Sequence, residues 1–257
     1  MATKVIAILN QKGGVAKTVT AINLAASLAI TGYKTLIIDA DPQANCSQSI
    51  GVTAFDHGTA ELFETESASI TAMVNKTTIE NLSIIPSDLS LSQVEWQLLK
   101  NYRAAHTAIL RDKLNKIKEK NHFDYCIIDC PPSLGLFSLN ALIAADRVLI
   151  PVGLDPFALI GLKYLTSTVD EIRMSTNKSL RILGIVRTMW DMRVTLAKEI
   201  SESMERDYPT KIFNTIIKHT VRIKESVIAQ VPIVIYEPSA PAAQQYVELT
   251  KEVMHKW

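Results

Sequence analysis

A glycine-bearing loop lies between an apolar run and a helical pattern near the start of the chain. Residues 5–9 are apolar, and a helical pattern covers residues 18–30. Between them stands the sequence NQKGGVAKT, residues 10–18. Successive backbone N–H groups of such a loop can point at one anion, and the start of the following helix adds a partial positive charge. The sequence therefore predicts a phosphate-binding loop.

Two side chains of this loop have predicted contacts with a nucleotide. Lys17 would reach the β- and γ-phosphates, and the Thr18 hydroxyl would hold Mg²⁺. The generic pattern G-x-x-x-x-G-K-S/T fits these two residues but has Gln11 and Ala16 at its glycine positions, whereas K-G-G-x-x-K-T is matched from Lys12 onward. Alanine costs little at negative φ and about 1 kcal/mol or more at positive φ. A plain Gly-Gly turn, the alternative, requires neither of the two lysines.

The second pattern resembles the signature of the deviant-Walker-A ATPases, which include the ParA/Soj segregation ATPases, MinD and the nitrogenase iron protein. The resemblance implies ATP and Mg²⁺ as cofactors and a homodimer that forms on ATP binding. It also implies that Lys12 reaches across this dimer to the phosphates bound by the other subunit. The nucleotide contacts that it implies in this region are Lys12, Gly13, Gly14, Val15, Ala16, Lys17, Thr18 and Val19.

Apolar runs and helical patterns alternate along the chain. The predicted strands are residues 5–9, 35–39, 82–85, 124–129, 147–152, 180–186 and 212–217. The predicted helices are residues 18–30, 89–99, 107–120, 136–144, 159–174 and 195–208, and residues 58–81 form a surface excursion with short helices. The alternation predicts a doubly wound, mostly parallel α/β sheet with helices on both faces. We expect one domain over residues 1–257, with ligands at the carboxyl ends of the strands.

The second predicted strand ends in DADPQAN, residues 39–45. This stretch resembles the D-x-D-P-Q-x-N segment of ParA-type proteins, which implies that Asp41 orients or deprotonates the attacking water. An Asp-Pro turn that caps the strand is the alternative. It explains Asp41 and Pro42 but not Asp39, so we favour the catalytic interpretation.

The fourth predicted strand has the form of a Walker B strand. It ends at Asp129, whose carboxylate can hold Mg²⁺ directly or through water, and the sequence CPPSLG follows. An apolar run that ends in aspartate is alone a weak indication of a Walker B strand. It becomes a strong one in a chain that also contains a phosphate-binding loop and Asp41. Together these motifs point to the ParA/Soj branch, and the resemblance extends from residue 4 to residue 257.

The ends of the sixth and seventh predicted strands are candidates for the pocket that binds the nucleotide base. In ParA-like relatives these ends flank the adenine, and the second usually reads I-P-R-N. The resemblance therefore implies base contacts from Met189, Lys218 and His219, although this chain departs from that pattern with Lys218, His219 and Thr220. A methionine at a strand end is also typical of ordinary packing.

DNA is the partner that the resemblance implies for the ATP dimer, and a ParB-like protein is its stimulating partner. The chain has 27 basic and 26 acidic residues, so the charge for DNA must be local. Residues 181–224 contain nine Lys or Arg and five Asp or Glu. A solvated face is the alternative, and Ser239 and Pro241 stand where some relatives have arginines. The candidate DNA contacts are Arg206, Lys211, Lys218, Arg222 and Lys224.

Other classes are disfavoured. The sequence has no apolar run near 18 residues and no signal peptide, so we expect a cytoplasmic protein. The resemblance to ParA-type proteins implies that it associates with the nucleoid. A MinD-like membrane tail is not expected, because the last helix should end near Trp257. The three cysteines are more typical of buried free thiols than of ligands to an iron–sulfur cluster. The remaining alternatives are a ParA-like ATPase that positions a non-DNA cargo, a MinD-like spatial regulator and a metabolic P-loop ligase.

Overall fold

The computed structural model describes residues 3–64, 68–120, 122–191 and 193–257. The predicted entry from Met1 and Ala2 into the first strand lies outside the described residues. Residues 65–67, within the predicted surface excursion, also lie outside them.

Eight strands of the described chain form one sheet, in the order β3-β4-β2-β5-β1-β6-β7-β8. All neighbouring strands pair in parallel except the short β3, which runs antiparallel to β4. The strands are β1 Lys4–Ile8, β2 Thr35–Asp39, β3 Asn75–Lys76, β4 Leu82–Ile85, β5 Tyr125–Asp129, β6 Arg147–Gly153, β7 Arg181–Trp190 and β8 Ile212–Lys218.

Helices connect the strands, and three further helices follow β8 in the described chain. They are α1 Lys17–Ile30, α2 Asn45–Ser49, α3 Thr59–Glu64, α4 Ser90–Lys100, α5 Ile109–Lys120, α6 Leu136–Ala144, α7 Ala158–Ser175, α8 Thr195–Asp207, α9 Val221–Ile228, α10 Ile233–Tyr236 and α11 Pro241–His255. Two 3₁₀ turns cover Ile70–Met73 and Ala104–Thr107.

Two apolar cores lie on opposite faces of the sheet. Successive side chains of a strand point to opposite faces, so Val5 and Ala7 enter one core while Ile6 and Ile8 enter the other. Helices α1 and α11 cover the second core, and α3 to α8 cover the first. The prediction of a doubly wound, mostly parallel sheet with helices on both faces is therefore confirmed.

The predicted elements agree closely with the observed ones, and the differences have local causes. The two residues of β3 are too few to show a periodicity, so this strand was not predicted. Strand β7 continues to Trp190, beyond the predicted end at residue 186, because it pairs along this length with β6 and β8. All three cysteines are buried free thiols, as predicted.

The packing of β7 against β8 depends on one glycine. A Cβ atom on Gly184 would overlap the ring of Phe213, whose Cδ2 atom would lie 2.8 Å away, and Phe213 is fully buried. We therefore expect Gly184→Ala to lower the free energy of unfolding by about 1–3 kcal/mol, because the ring must shift in a packed core. Urea unfolding would measure this loss.

Gly161, within α7, provides the matched control. Its added Cβ would meet nothing within 4 Å, so Gly161→Ala should leave stability unchanged or raise it by about 0.5–1 kcal/mol. Equal unfolding midpoints for the two variants would contradict the proposed contact.

Candidate nucleotide-binding site

The loop between β1 and α1 is fixed at its start by Asn10. The Asn10 side chain donates to the Pro151 carbonyl oxygen (2.7 Å) and accepts from the Lys12 backbone N–H (3.0 Å). Gly14 has φ 74° and Ala16 has φ 59°, so both lie in the left-handed region. For Ala16 this conformation costs on the order of 1 kcal/mol. The loop therefore stores strain at the position where the generic pattern has glycine.

Strand β7 also holds the loop. The Thr188 hydroxyl donates to the Val15 carbonyl oxygen over 3.0 Å, and both residues are buried. No heavy atom would lie within 4 Å of a Cβ added to Gly13 or Gly14. The loop backbone is thus anchored on the protein side and open on the other, where an anion could approach the N–H groups.

The strand ends beside the loop place Asp39 and Asp129 next to each other. The two residues are register partners on β2 and β5, and both are fully buried. Burial lowers the pKa of Lys17, while the negative charges of Asp129 and Asp41 favour its ammonium form. The Lys17 ammonium donates to the Lys12 carbonyl oxygen (2.8 Å). The structure therefore brings Lys17, Asp41 and Asp129 together, as the motifs predicted.

Asp129 is a buried carboxylate that lacks a hydrogen-bond partner. Neither of its oxygens accepts a well-formed hydrogen bond from the described residues, although the Thr18 hydroxyl is close enough to lower its pKa. Burial, and after it the charge of Asp39, raises the pKa of Asp129 well above its usual range. An unpaired buried carboxylate is costly and calls for a missing partner. A cation between Asp129 and Thr18 would supply that partner.

Mg²⁺ suits this donor set. It binds through one or two protein oxygens and keeps water or phosphate oxygens as its other ligands. The described residues contain no cluster of three or more His, Cys, Asp or Glu side chains arranged to hold a metal. An aspartate and a hydroxyl at the loop therefore fit Mg²⁺ bound together with nucleotide phosphates better than a site made by protein alone.

Asp39 has a structural role that the sequence did not reveal. Its carboxylate accepts from the Ser47 backbone N–H (2.9 Å), the Ser47 hydroxyl (2.7 Å) and the Asp41 N–H (3.2 Å). Burial raises its pKa to about 6. Asp41 in turn accepts from the Gln43 N–H (2.9 Å). Asp39 therefore holds the turn that presents Asp41, so its presence is no argument for the catalytic interpretation.

Lys12 has a partner within its own chain that sequence analysis missed. Its ammonium forms an ion pair with Asp155, and this contact lowers the pKa of Asp155. The two residues line a cavity of about 420 Å³ beside Phe157 and Ile160. These apolar side chains are 71% and 70% exposed. No sequence signal marks Asp155, because it follows β6 and meets Lys12 only through the fold.

The predicted base contacts lie at the same edge of the sheet. Met189 follows Thr188, which contacts the loop, and Lys218 and His219 lie one strand farther out. Lys218 pairs in register with Trp190 across β7 and β8, which places Met189, Lys218 and His219 at neighbouring strand ends. Met189 has φ 55° and is 39% exposed. Strand β8 is three strands from β1, roughly 14 Å at the usual strand spacing. Arg187, on the same strand as Met189, is buried and forms an ion pair with Glu205 of α8, so it connects β7 to that helix.

The predicted DNA contacts fall into two groups. Arg206 lies in the last turn of α8 and Lys211 precedes β8, whereas Lys218 is the last residue of that strand and Arg222 and Lys224 follow it. The two groups are roughly 23 Å apart, because each strand residue adds about 3.3 Å. Arg222 also forms ion pairs with two glutamates. The structure therefore does not place these five residues in one strip.

Comparisons with known proteins agree with this geometry. A family model described as an AAA domain matches residues 3–182. The chain is 38% identical to the chromosome partitioning protein ParA of Caulobacter vibrioides, over 98% of this chain and 94% of that protein. It is also 38% identical to the sporulation initiation inhibitor protein Soj of Bacillus subtilis, over 97% and 98%. The chain belongs to the ParA/Soj family of partitioning ATPases.

Solved structures support the same fold and the same cofactors. A structure of cobyrinic acid a,c-diamide synthase from Mycobacterium smegmatis with an ATP analogue and magnesium superimposes with a TM-score of 0.84. It is 29% identical, over 99% of this chain and 96% of that one. ATP and Mg²⁺ are thus confirmed as the cofactors of this ParA/Soj-family chain. Within the described part, we find no helix with the length and apolarity that a membrane crossing needs.

The unpaired state of Asp129 leads to a prediction on stability. Burial raises the pKa of Asp129 in the folded state above its value in the unfolded state. The native protein therefore loses stability as the pH rises from the unfolded-state pKa toward the folded-state pKa. Asp129→Asn removes the titrating group. In nucleotide-free protein it should raise the free energy of unfolding at pH 8 by about 1–3 kcal/mol, and its advantage over wild type should widen from pH 5 to pH 8. Urea unfolding in EDTA measures both effects.

Asp56→Asn is the matched control, because the Asp56 side chain is exposed. It should track wild type at each pH. A stability difference between Asp129→Asn and wild type that stays constant with pH would contradict the assignment of a buried, unpaired charge.

Proposed function

We propose that this chain is an ATP-driven switch for DNA partition, which closes as a dimer around two nucleotides and is reset by hydrolysis. The observation that carries this proposal is the convergence of Lys17, Asp41 and Asp129 beneath the loop, with Lys12 at its rim. We also propose that residues 1–257 act as one domain. The names of the ParA and Soj relatives support the partition role.

The proposed chemistry assigns one task to each residue. The loop N–H groups and the Lys17 ammonium bind the phosphates and stabilise the charge that develops during transfer. Thr18 and Asp129 would hold Mg²⁺, which supplies further charge neutralisation when bound. Asp41 orients the attacking water and accepts its proton, since it lies at the turn after β2 and is anchored by the Gln43 N–H.

Dimer formation would change the partner of Lys12. In the single chain its ammonium is held by Asp155, 22% of whose side chain is exposed. The adjacent Phe157 and Ile160 present an apolar face at the rim of the loop. Burying this face between two subunits would stabilise the dimer. Lys12 would then leave Asp155 for the phosphates of the partner subunit, where the charge is greater.

The base and the DNA would meet the carboxyl edge farther along the sheet. We assign the base to Met189, Lys218 and His219, and nucleotide-dependent DNA contacts to Lys218 and Lys224. A ParB-like protein would stimulate hydrolysis, and the protein would act in the cytoplasm on the nucleoid. A ParA-like role with a non-DNA cargo, or a MinD-like spatial role, would use the same site, and we propose no stable membrane association.

A metabolic ligase is the second candidate. The full-length likeness to cobyrinic acid a,c-diamide synthase supports it. The two functions differ in turnover, because a ligase consumes ATP as a reagent with its substrate, whereas a switch hydrolyses ATP slowly alone and faster with a partner and DNA. The 38% identity to the partitioning proteins favours the switch.

Two substitutions separate binding from hydrolysis. Lys17→Ala should abolish ATP binding, because the loop loses the ammonium that neutralises the phosphates. Asp41→Ala should bind ATP normally and form a stable ATP dimer, while its hydrolysis rate falls by about 10²-fold or more. Equilibrium binding of a fluorescent ATP analogue, light scattering and phosphate release measure the three properties. Hydrolysis by Asp41→Ala at the wild-type rate, or a strictly monomeric protein with ATP, would refute the proposal.

A further inference from the structure

A pocket lies beside the turn that carries Asp41, and we call it the turn pocket. Its volume is about 570 Å³, which is within the usual size range of ligand pockets. Residues 42–44 of the turn form one wall, and residues 87–89, between β4 and α4, form another. Residues 52–56 contribute much of the remaining lining. The pocket therefore connects the Asp41 turn to the start of α4.

The charged side chains that line the turn pocket are both acidic. Asp56 and Asp88 are exposed, and neither carboxylate forms an ion pair within the described part of the chain. The Asp88 carboxylate accepts from the Ser90 backbone N–H (2.9 Å), a contact that leaves its charge in place. The described residues around the pocket include no Lys, Arg or His. The charge of the pocket therefore favours a cationic group.

Ser87 adds an unused hydrogen-bonding group to the turn pocket. The residue is 2% exposed, and its hydroxyl has no hydrogen-bond partner among the described residues. A buried polar group without a partner is uncommon in folded proteins and calls for a missing one. Guanidinium and ammonium groups are donors only, and a hydroxyl oxygen accepts. A basic side chain that enters beside Asp88 would supply the donor that Ser87 lacks.

Apolar side chains also line the turn pocket. Leu89, which precedes α4, is 68% exposed, and Val52 and Phe55 lie on the side of residues 52–56. A free amine would satisfy the two carboxylates but would leave Leu89 in water. A peptide segment with a basic residue next to an apolar one would cover both kinds of surface, as protein partners do.

Hydrogen bonds connect the turn pocket to Asp41. The Ser87 backbone N–H donates to the Ser47 hydroxyl oxygen (3.0 Å), and that hydroxyl donates to the Asp39 carboxylate (2.7 Å). The same carboxylate accepts from the Asp41 N–H (3.2 Å). Ala44, in the wall of the pocket, has φ 55°, a strained conformation for alanine. An occupant of the pocket would therefore contact the turn directly and also the far end of this hydrogen-bond chain.

We propose that the turn pocket binds a segment of a separate protein, in which Arg or Lys stands next to an apolar residue, and that this binding accelerates ATP hydrolysis. The basic group pairs with Asp56 and Asp88, and the apolar side chain covers Leu89. Contact with the turn immobilises it, so Asp41 is held in the position that orients water. The inference rests on the proposed function, because it takes Asp41 as the residue that orients the water.

The turn pocket and the proposed dimer face occupy different parts of the carboxyl edge. The pocket adjoins β2 and β4, whereas Phe157 and Ile160 follow β6, which is three strands from β2. Three strand spacings are roughly 14 Å. The bound segment and the apolar face beside Lys12 therefore do not compete for the same surface.

The test begins with phage-displayed random peptides, which are selected on full-length protein without nucleotide, in EDTA. Phage that also bind the double variant Asp56→Asn and Asp88→Asn are discarded. The remaining peptides should share an Arg or Lys next to an apolar residue. A selection that yields no peptide, or only peptides without a basic residue, would overturn the proposal.

A selected peptide is then synthesised with a fluorescent label, and its affinity is measured by anisotropy. The double variant Asp56→Asn and Asp88→Asn should bind it about tenfold more weakly, because two exposed ion pairs are lost. This difference should shrink as salt is added. Asparagine keeps the oxygen that accepts from the Ser90 N–H, so the fold is retained. Equal affinities for wild type and the double variant would contradict the pocket.

Ser87→Ala is an independent variant that keeps both carboxylates. It should weaken peptide binding about threefold to tenfold, because one hydrogen bond is lost. Its midpoint of urea unfolding should equal or exceed that of wild type, since the hydroxyl that it removes has no partner in the described chain. The matched charge control is Glu199→Gln with Glu202→Gln, which alters exposed residues of α8 and should behave as wild type.

Phosphate release under saturating ATP tests the effect on hydrolysis. The unlabelled peptide should raise the kcat of wild type about tenfold or more without changing KM, because it acts on the turn and not on the loop. The double variant should keep the basal rate and lose the stimulation. A bound peptide that leaves the wild-type rate unchanged would overturn the proposal. A wild type that hydrolyses no ATP would instead refute the switch, while the anisotropy still decides whether the pocket binds the peptide.

Discussion

An unpaired buried carboxylate at the end of β5 governs the chemistry of the site. Among the described residues, no well-formed hydrogen bond reaches the fully buried carboxyl group of Asp129. Burial raises its pKa well above the usual range, which favours the neutral form until a cation binds. The Lys17 ammonium is close enough for mutual stabilisation but is itself directed to the Lys12 carbonyl. A cation at Asp129, with phosphates at Lys17, would stabilise the charged forms of both groups. The parallel sheet makes this possible, because it places Asp129, the Asp41 turn and the loop at one edge.

The two edges of the sheet have opposite electrostatic character. Aspartates lie at the carboxyl edge near the loop. Asp39 accepts hydrogen bonds from Ser47, whereas no well-formed hydrogen bond from the described part of the chain reaches Asp129. The amino edge gathers cations around Trp257 whose local carboxylates are already engaged. In our proposal, the carboxyl edge responds to nucleotide by forming a dimer.

The sequence predicted the sheet, most helices and the residues around the loop because these features have local patterns. The loop motif and the aspartates at the strand ends each occupy one short segment. The Lys12–Asp155 ion pair and the anchoring of Val15 by Thr188 could not be predicted, since each joins segments that only the fold brings together. The predicted DNA-contacting residues are also separated in the structure. A count of charges along the chain does not show that strand β8 lies between Lys211 at one end and Lys218, Arg222 and Lys224 at the other.

The central claim is that Lys12 completes the site of the partner subunit. Mixing two inactive variants, Lys12→Ala and Asp41→Ala, tests it most directly by phosphate release. In a mixed dimer, the site of the Lys12→Ala subunit keeps its own Asp41 and receives Lys12 from the other subunit, so it is complete. The account predicts that an equal mixture hydrolyses ATP well above the sum of the separate variants, at about a quarter of the wild-type rate, because random pairing makes half of the dimers mixed and each mixed dimer has one complete site of two. A rate no higher than that sum would contradict a lysine that acts across the dimer.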